Sequence, residues 1–369
     1  MADVTILGGG IIGLSIADEL ARSGVAVRVL DQSVFANEAS WAGAGMLPPG
    51  NLERADSPEA ILRGLSHRLW PNLIGWLQAN TGIDSGYRIS GAVRLFDSGS
   101  ERDDELAVWQ SEGIPAESLA AGDLSELEPA LAVGSRPALH LPGQAQIRNP
   151  RHLKALLASC AAQGVQLIPN AGAIGFNIDG GHVAGVRTTA GTFHSDQYCV
   201  TAGAWSRGLL EPLGIDLPVR PVRGQIALLK ASPLPITRMV EIGSRYLVPR
   251  PDGRVLVGAT MEEVGYDKRN TASAIGSLLA LAIATCPDLA HADLERTWAG
   301  LRPGSPDGLP YLGGVPDYDN LFVAAGHFRS GLQMSPATAR LMRQLLLGQP
   351  SEVSLEPFSL TRHSITNTY

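Results

Sequence analysis

Two groups of residues in this 369-residue chain have types and spacings that do chemistry. The first is Gly8, Gly10 and Gly13, a G-x-G-x-x-G, with Asp31 standing 18 residues beyond Gly13. In such a pattern the first glycine permits a tight turn, and the second lets the backbone approach a pyrophosphate. The third lets a helix pack on a strand. A helix beginning at Ile11 and Ile12 offers unpaired N–H groups and a favourable dipole to phosphate oxygens. The carboxylate of Asp31 suits both ribose hydroxyls of an adenosine; the plainer reading is a solvated acid at a strand end. The second group surrounds Arg302, within TWAGLRPGSPDGLPYLGG (297–314). A guanidinium cannot shed its charge, so burial there calls for an anionic partner. Asp307 is one candidate, and the carboxylate of a bound molecule is the other.

With 42 glycines in the chain, the glycine pattern is weak alone. Its context strengthens it: VTIL (4–7) reads as a strand, IIGLSIADELARSG (11–24) as a helix stopping at Gly24, and VAVRVLD (25–31) as a second strand. NAD and FAD both fit this unit. The segment ASWAGAGML (39–47) favours FAD. Its small residues let a long cofactor lie along the backbone, Ser40 suits a phosphate and Met46 a flavin edge. A nicotinamide dehydrogenase has no need of such a stretch there. A tightly packed loop is the alternative.

These residues must be positioned by a chain large enough for two domains. Its composition, 44% hydrophobic and 18% charged, is that of a folded protein. The net charge of −7 and the lack of basic clusters disfavour nucleic acid and anionic membranes. No apolar run reaches the ~20 residues needed to cross a bilayer, and SLLALAIATC (277–286) reads as a buried helix face. Without a basic leader at the N-terminus, a cytoplasmic location is expected. Cys160, Cys199 and Cys286 are far apart and form no CxxC pair, so buried free thiols are expected and a metal site is not.

Further elements follow from patterning. SPEAILRGLSHRLWPNLIGWLQANTG (57–82) predicts a long helix with Ser57 as N-cap, Pro58 at its first position and a kink at Pro71. HLKALLASCAAQG (152–164) predicts another. SPATARLMRQLLLG (335–348) predicts a closing helix capped by Ser335. AIGFNID (173–179) and HVAGVRTTAG (182–191) predict a hairpin through Gly180-Gly181, followed by a strand in YCVTAG (198–203). QIALLK, RYLVPRPDGRVLVGAT and TWAGLRP predict a further sheet. Residues 98–130 read as an exposed lobe, and the polar tail SLTRHSITNTY as loose.

Taken in order, ILGGGIIGLSIADELARSG, ASWAGAGML, TAGAWSRGLL, RPVRGQ, RYLVPR with GRVLVGATMEEVGYD, TWAGLRPGSPDGLPYLG and GHFRSGLQMSPATA resemble the D-amino acid oxidase superfamily of flavoproteins. The likeness spans nearly the whole chain and is strongest to the glycine oxidase branch that serves thiazole synthesis. It implies an α/β and α+β fold: a Rossmann-type FAD-binding domain (1–82, 141–211, 296–369) interleaved with a mixed-sheet substrate domain (83–140, 212–295). It also implies non-covalent FAD, a small amino acid or amine as substrate, O2 as acceptor and H2O2 as product. A homo-oligomer is compatible with it.

The resemblance sets Gly8, Gly10, Ile11, Ile12, Gly13, Asp31 and Gln32 against the nucleotide, with Ala173 at adenine. Ser40, Ala44, Gly45 and Met46 follow the cofactor toward the flavin, as do Ala202, Gly203 and Trp205. The turn His327, Phe328, Arg329, Ser330, Gly331 and Leu332 would wrap the pyrimidine end through backbone groups. Arg302 and Tyr246 match the pair that holds the substrate carboxylate. Arg329 and Met46 match pocket residues beside the flavin, and Arg302 also borders it. Packed-strand and loop-holding roles for Tyr246 and Arg329 are the alternatives. One departure is Ser244, where glycine oxidases often carry histidine. No cysteine follows Cys286, so the C-terminal cysteine link to flavin of some secondary-amine oxidases is not expected. Sarcosine or D-amino acid oxidation, a tRNA-modifying flavoenzyme, an NAD(P) dehydrogenase and a non-catalytic flavin protein are the competing readings.

Overall fold

In a computed structural model, which describes residues 2–132 and 134–362, two large sheets share the chain. The polar tail beyond residue 362 lies outside the described residues. The first sheet has six strands in the order Tyr311–Gly314, Leu321–Ala325, Ser195–Val200, Ala2–Leu7, Val27–Leu30, Gln166–Ile168. All neighbours are parallel except the first pair. Alternation along Ala2–Leu7 decides what covers each face. Val4 and Ile6 join a core with the helices Ile11–Ala21, Pro58–Thr81, Asn149–Ala162 and Gly331–Leu346. Leu7 joins Phe176, Val183 and Val186 of a three-stranded antiparallel sheet on the opposite face. This is the layered arrangement in which ligands meet the carboxyl ends of parallel strands.

The second sheet has eight strands, from Asp293–Gly304 and Arg220–Lys230 through Arg254–Gly258, Arg245–Pro249 and Met239–Ile242 to Ala92–Leu95, Ala138–Leu141 and Glu117–Leu119. Its neighbours are antiparallel apart from Met239–Ile242 with Ala92–Leu95. One face packs on Leu278 and Ala282 of the helix Ala272–Thr285. The other carries Ile226, Met239, Tyr246 and Val248, which pack with Ala44 and Met46. Asp293–Gly304 pairs with Arg220–Lys230 along its length, so the domain division expected at 295/296 falls inside this strand, and Arg302 belongs to the second sheet.

The long helix begins and ends as its residues dictate. Ser57 accepts a hydrogen bond from the Ala60 N–H at 3.2 Å, Pro58 fills the first turn, and Gly82 closes it at φ +70°. Pro71 stays within the helix on its exposed side. The hairpin turns at Gly180-Gly181, both with positive φ, and the three cysteines are buried and free.

One expectation is corrected and another is narrowed. The closing helix starts at Gly331, four residues before the expected cap, with Ser330 at the N-cap position. Ser335 is internal, and its hydroxyl donates to the Leu332 carbonyl at 2.9 Å. That carbonyl is the one Pro336, lacking an N–H, leaves unserved, so the Ser-Pro pair continues the helix here. The segment 277–286 does supply a buried helix face, and only one. Leu278, Ala282, Thr285 and Cys286 are buried, while Ile283 is 40% exposed, because the sheet covers one side of this helix only.

Within the first core, His152 is fully buried against Trp70, with ring centroids 5.2 Å apart. Burial pulls its imidazole down to about 3, so the folded protein holds it neutral. The unfolded chain takes up that proton near the ordinary value of about 6.5. The stability this neutral ring carries is therefore present above about pH 6.5 and is lost as the pH falls toward 3. The Tm should fall on acidification through this window, and His152→Phe should flatten that fall. An unchanged pH profile in the variant would refute the assignment.

Candidate active site

Between the two sheets runs one cavity of about 850 Å³. Its first end is built by the strand–turn–helix unit. Gly8 turns at φ +123°, and a Cβ there would stand 2.5 Å from the Thr201 carbonyl oxygen. A Cβ on Gly13 would stand 1.9 Å from the Gly8 carbonyl oxygen. The Thr201 hydroxyl donates to that same carbonyl at 2.8 Å, tying the turn to the neighbouring strand. Gly10, Ile11 and Ile12 line the cavity at the start of the helix. Asp31 and Gln32 also line it. The Asp31 carboxylate accepts from the Gly9 N–H at 2.8 Å and the Ser33 N–H at 2.9 Å, which fixes its orientation. Burial nevertheless raises its pKa, with those bonds opposing the rise.

The small-residue segment forms the next stretch of wall. The Ser40 hydroxyl oxygen accepts from the Ile11 N–H at 2.9 Å and keeps its own proton to donate. Gly45 turns at φ +71° against the Ile147 carbonyl, where a Cβ would come within 2.0 Å. Ala44 and Met46 face the cavity, as do Ala173, Ala202, Gly203 and Trp205 on other strands and turns.

Several residues that sequence reasoning missed hold this wall in place. Asn149, 2% exposed, donates to the Ser40 carbonyl at 2.8 Å, and its Oδ1 lacks a partner among the described residues. Trp298 donates to the Ala42 carbonyl at 3.0 Å. Arg250 donates to the Ala44 carbonyl at 2.6 Å and to Gln146 Oε1 at 2.7 Å. Burial pushes the Arg250 guanidinium down to about 9, still charged at neutral pH. Tyr266 stacks on Trp205 and donates to the Ala204 carbonyl at 3.1 Å. Trp298, Arg250 and Tyr266 lie within motifs quoted above but carry no local mark of this role; Asn149 lies in none, and all four act across the fold.

At the far end the second sheet presents Arg302 and Tyr246. Arg302 donates to the Thr260 carbonyl at 3.1 Å and makes no ion pair with a carboxylate among the described residues. Asp307, the candidate partner from sequence, is engaged by Arg362 at 2.8 Å. Burial, and then the nearby Arg329, hold the Arg302 guanidinium below its ordinary value, while the Tyr246 hydroxyl acts to raise it. Burial raises the Tyr246 hydroxyl in turn, opposed by Arg302 and Arg329.

Two glycines make room for the pair. A Cβ on Gly224 would fall 2.3 Å from the Arg302 guanidinium nitrogens, and one on Gly258 2.5 Å from the Tyr246 hydroxyl. Arg329 is exposed at the cavity edge, with its guanidinium 3.5 Å from the Ser244 carbonyl, so position 244 contributes backbone there. His327 is buried and bonded to Thr338 at 3.0 Å, and burial holds it down to about 3. Phe328, at φ +47°, begins the turn through Ser330, Gly331 and Leu332 that brings the last helix's N-terminus to the cavity. Every site residue expected from the sequence except Gly13 lines this cavity, and Gly13 packs directly behind the turn.

A profile of the DAO family, described as FAD dependent oxidoreductase, matches residues 3–345. The chain belongs to the DAO family of FAD-dependent oxidoreductases. Among relatives, a glycine oxidase of Pseudomonas putida is 38% identical over 360 residues, covering 96% of this chain and 97% of that protein. A bifunctional protein ThiO/ThiG of Trichormus variabilis is 33% identical; the match covers 98% of this chain and 55% of that protein. The crystal structure of glycine oxidase from Geobacillus kaustophilus superposes with a TM-score of 0.93 at 35% identity, covering 98% and 99% of the two chains. As a DAO-family oxidoreductase this protein takes FAD, and the residues fit that group. Glycines whose side chains would fill the cradle line one end, and Asn149, a lining residue, carries a buried Oδ1 without a partner among the described residues. None of the three cysteines lines the cavity. Among the described residues no helix is long and apolar enough to cross a membrane.

Proposed function

We propose that this protein oxidises glycine, or an amino acid of similar size, to its imine. The imine hydrolyses to the 2-oxo acid, glyoxylate from glycine, and ammonia, while O2 is reduced to H2O2. The observation that carries this reading is Arg302: a largely buried guanidinium at the cavity's end, beside Tyr246, with no carboxylate of the chain paired to it among the described residues. A planar fork of donors binds a carboxylate bidentately and so fixes orientation as well as position. The Tyr246 hydroxyl is available to donate to the same carboxylate.

Bound FAD supplies the hydride acceptor and returns the electrons to O2. The chain's own residues do the rest. Arg302 and Tyr246 hold the carboxylate, so the α-carbon is placed by its distance from that anchor. Gly224 and Gly258 leave the space for both side chains. Met46, with Ile226 and Met239 behind it, gives an apolar wall that limits water. His327, the histidine lining the cavity among the described residues, is held neutral and bonded to Thr338, so no protein base is assigned. An amine bound without its extra proton needs none. The domain division, the cofactor contacts and an assembly of several copies are part of the same reading. So is a role in making the thiazole portion of thiamine, supported by the likeness to a protein named ThiO/ThiG.

The test is anaerobic mixing of the yellow protein with glycine, sarcosine, D-alanine or D-proline. Bleaching by glycine, reversed by air with H2O2 formed, is expected. Bleaching only by a bulkier or secondary amine moves the substrate to the sarcosine or D-amino acid reading. No bleaching by any of the four overturns amine oxidation.

A further inference from the structure

The cavity does not stop at Arg302 and Tyr246. Glu241 stands directly across the strand ladder from Tyr246 and beside Arg94, and both Glu241 and Arg94 line the same space. The Glu241 carboxylate accepts from Gln144 Nε2 at 2.5 Å and lies 3.4 Å from the Arg94 guanidinium. Arg94 is also paired with Glu105. It lies over one ring, Trp109, at 5.1 Å, and Arg63 lies over the same ring at 4.9 Å. Arg63 in turn pairs with Glu112 at 2.7 Å and Glu59 at 3.5 Å. Trp109 is 6% exposed, so this is a built wall and not a mobile surface cluster.

These two guanidinium groups thus meet four carboxylates, of which Glu59 and Glu241 line the cavity with Arg63 and Arg94 while Glu105 and Glu112 stand behind them. Both guanidiniums are spent on those carboxylates, and a net negative charge remains. One pole of the cavity is thus cationic, at Arg302 and Arg329, and the paired cluster beyond Tyr246, lining and backing residues together, is net anionic.

We propose that Glu241, tethered by Arg94 and Gln144, is a specificity-determining residue that admits amines carrying a neutral or cationic substituent and rejects those carrying a second carboxylate. The inference rests on the proposed function in taking Arg302 as the anchor for the first carboxylate. Glu241 then faces whatever extends from the α-carbon or the amine. A like charge at that range costs enough to disfavour a dicarboxylate by about tenfold. Glycine, with nothing to extend, is insensitive to the wall.

The test uses the FAD-loaded protein and two non-reacting acids, acetate and malonate, titrated against the visible flavin band. In Glu241→Gln, which keeps the side chain's shape, affinity for malonate relative to acetate should rise by about tenfold. The kcat/KM for D-aspartate relative to D-alanine should rise in parallel. Raising salt to about 0.5 M should move the unmutated protein's malonate-to-acetate ratio in the same direction, because exposed parts of the wall are screened. This measurement does not depend on the variant folding. If both ratios stay unchanged in the variant and with salt, while glycine still bleaches the flavin, the wall is not a filter. If no amine bleaches the flavin but the malonate ratio shifts, the oxidase reading falls and the anionic pole stands.

Discussion

Arg302→Ala is expected to lower kcat/KM for glycine by about 10²–10³-fold while leaving FAD bound. The reason lies in where the guanidinium sits. It reaches the cavity's end from the strand Asp293–Gly304, anchored to the Thr260 carbonyl and set over Gly224, with Tyr246 beside it. Its charge has no carboxylate of the chain to answer it among the described residues, because Asp307 is taken by Arg362. The substrate's carboxylate is the group that would complete it. Alanine removes both the charge and the fork that orients the α-carbon, so binding and turnover fall together. The glycine turn and Asp31 lie at the other end of the cavity, and where this strand does meet the proposed cofactor wall it does so through Trp298 on the Ala42 carbonyl, not through Arg302. Steady-state kinetics and the flavin content of the purified variant decide the matter. Equal loss of flavin and turnover would mean that Arg302 serves the cofactor and not the substrate.

The second large effect is expected from Gly13→Ala. One added methyl group would stand 1.9 Å from the Gly8 carbonyl oxygen and 2.6 Å from the Thr201 hydroxyl. Neither neighbour is a flexible side-chain end. The carbonyl is backbone at the tight turn, and the hydroxyl is the donor that holds it. Relief requires the helix Ile11–Ala21 to back away from the strand Ala2–Leu7, which moves the N–H groups proposed to meet the phosphates. Overpacking of this kind costs about 1–3 kcal/mol, and the displaced turn should leave the protein largely without flavin. The flavin absorbance per protein and the Tm report the two effects separately. A fully flavin-loaded, normally stable variant would show that the turn is not the nucleotide cradle.

The same two sites show what local sequence carries. The cradle is legible because its glycines, the helix start and Asp31 all belong to one continuous strand–turn–helix–strand unit. Each residue's role follows from neighbours a few positions away. The Ser57 cap and the Gly180-Gly181 hairpin are legible for the same reason. Ser335 shows the limit of that logic. A serine before a proline is a fair local start signal, yet its hydroxyl satisfies the Leu332 carbonyl, and Ser66 Oγ accepts the Ala337 N–H, so the helix runs on. The apolar stretch 277–286 gave its buried face, but its composition could not tell that a sheet covers one side of the helix and leaves the other bare.

By itself, then, the sequence determined the strand–turn–helix–strand unit with its glycine turn, the helix boundaries set by caps and glycines, and Arg302 as a charge in need of a partner. Tertiary structure decided who that partner is not, by giving Asp307 to Arg362. It also decided what Gly224 and Gly258 leave room for, since the atoms their side chains would meet belong to Arg302 and Tyr246 on neighbouring strands. The wall of Glu241, Arg94, Trp109 and Arg63 could be seen only there. Its members come from two strands and two helices that meet through the sheet, and charges pair by distance in space, not by spacing along the chain.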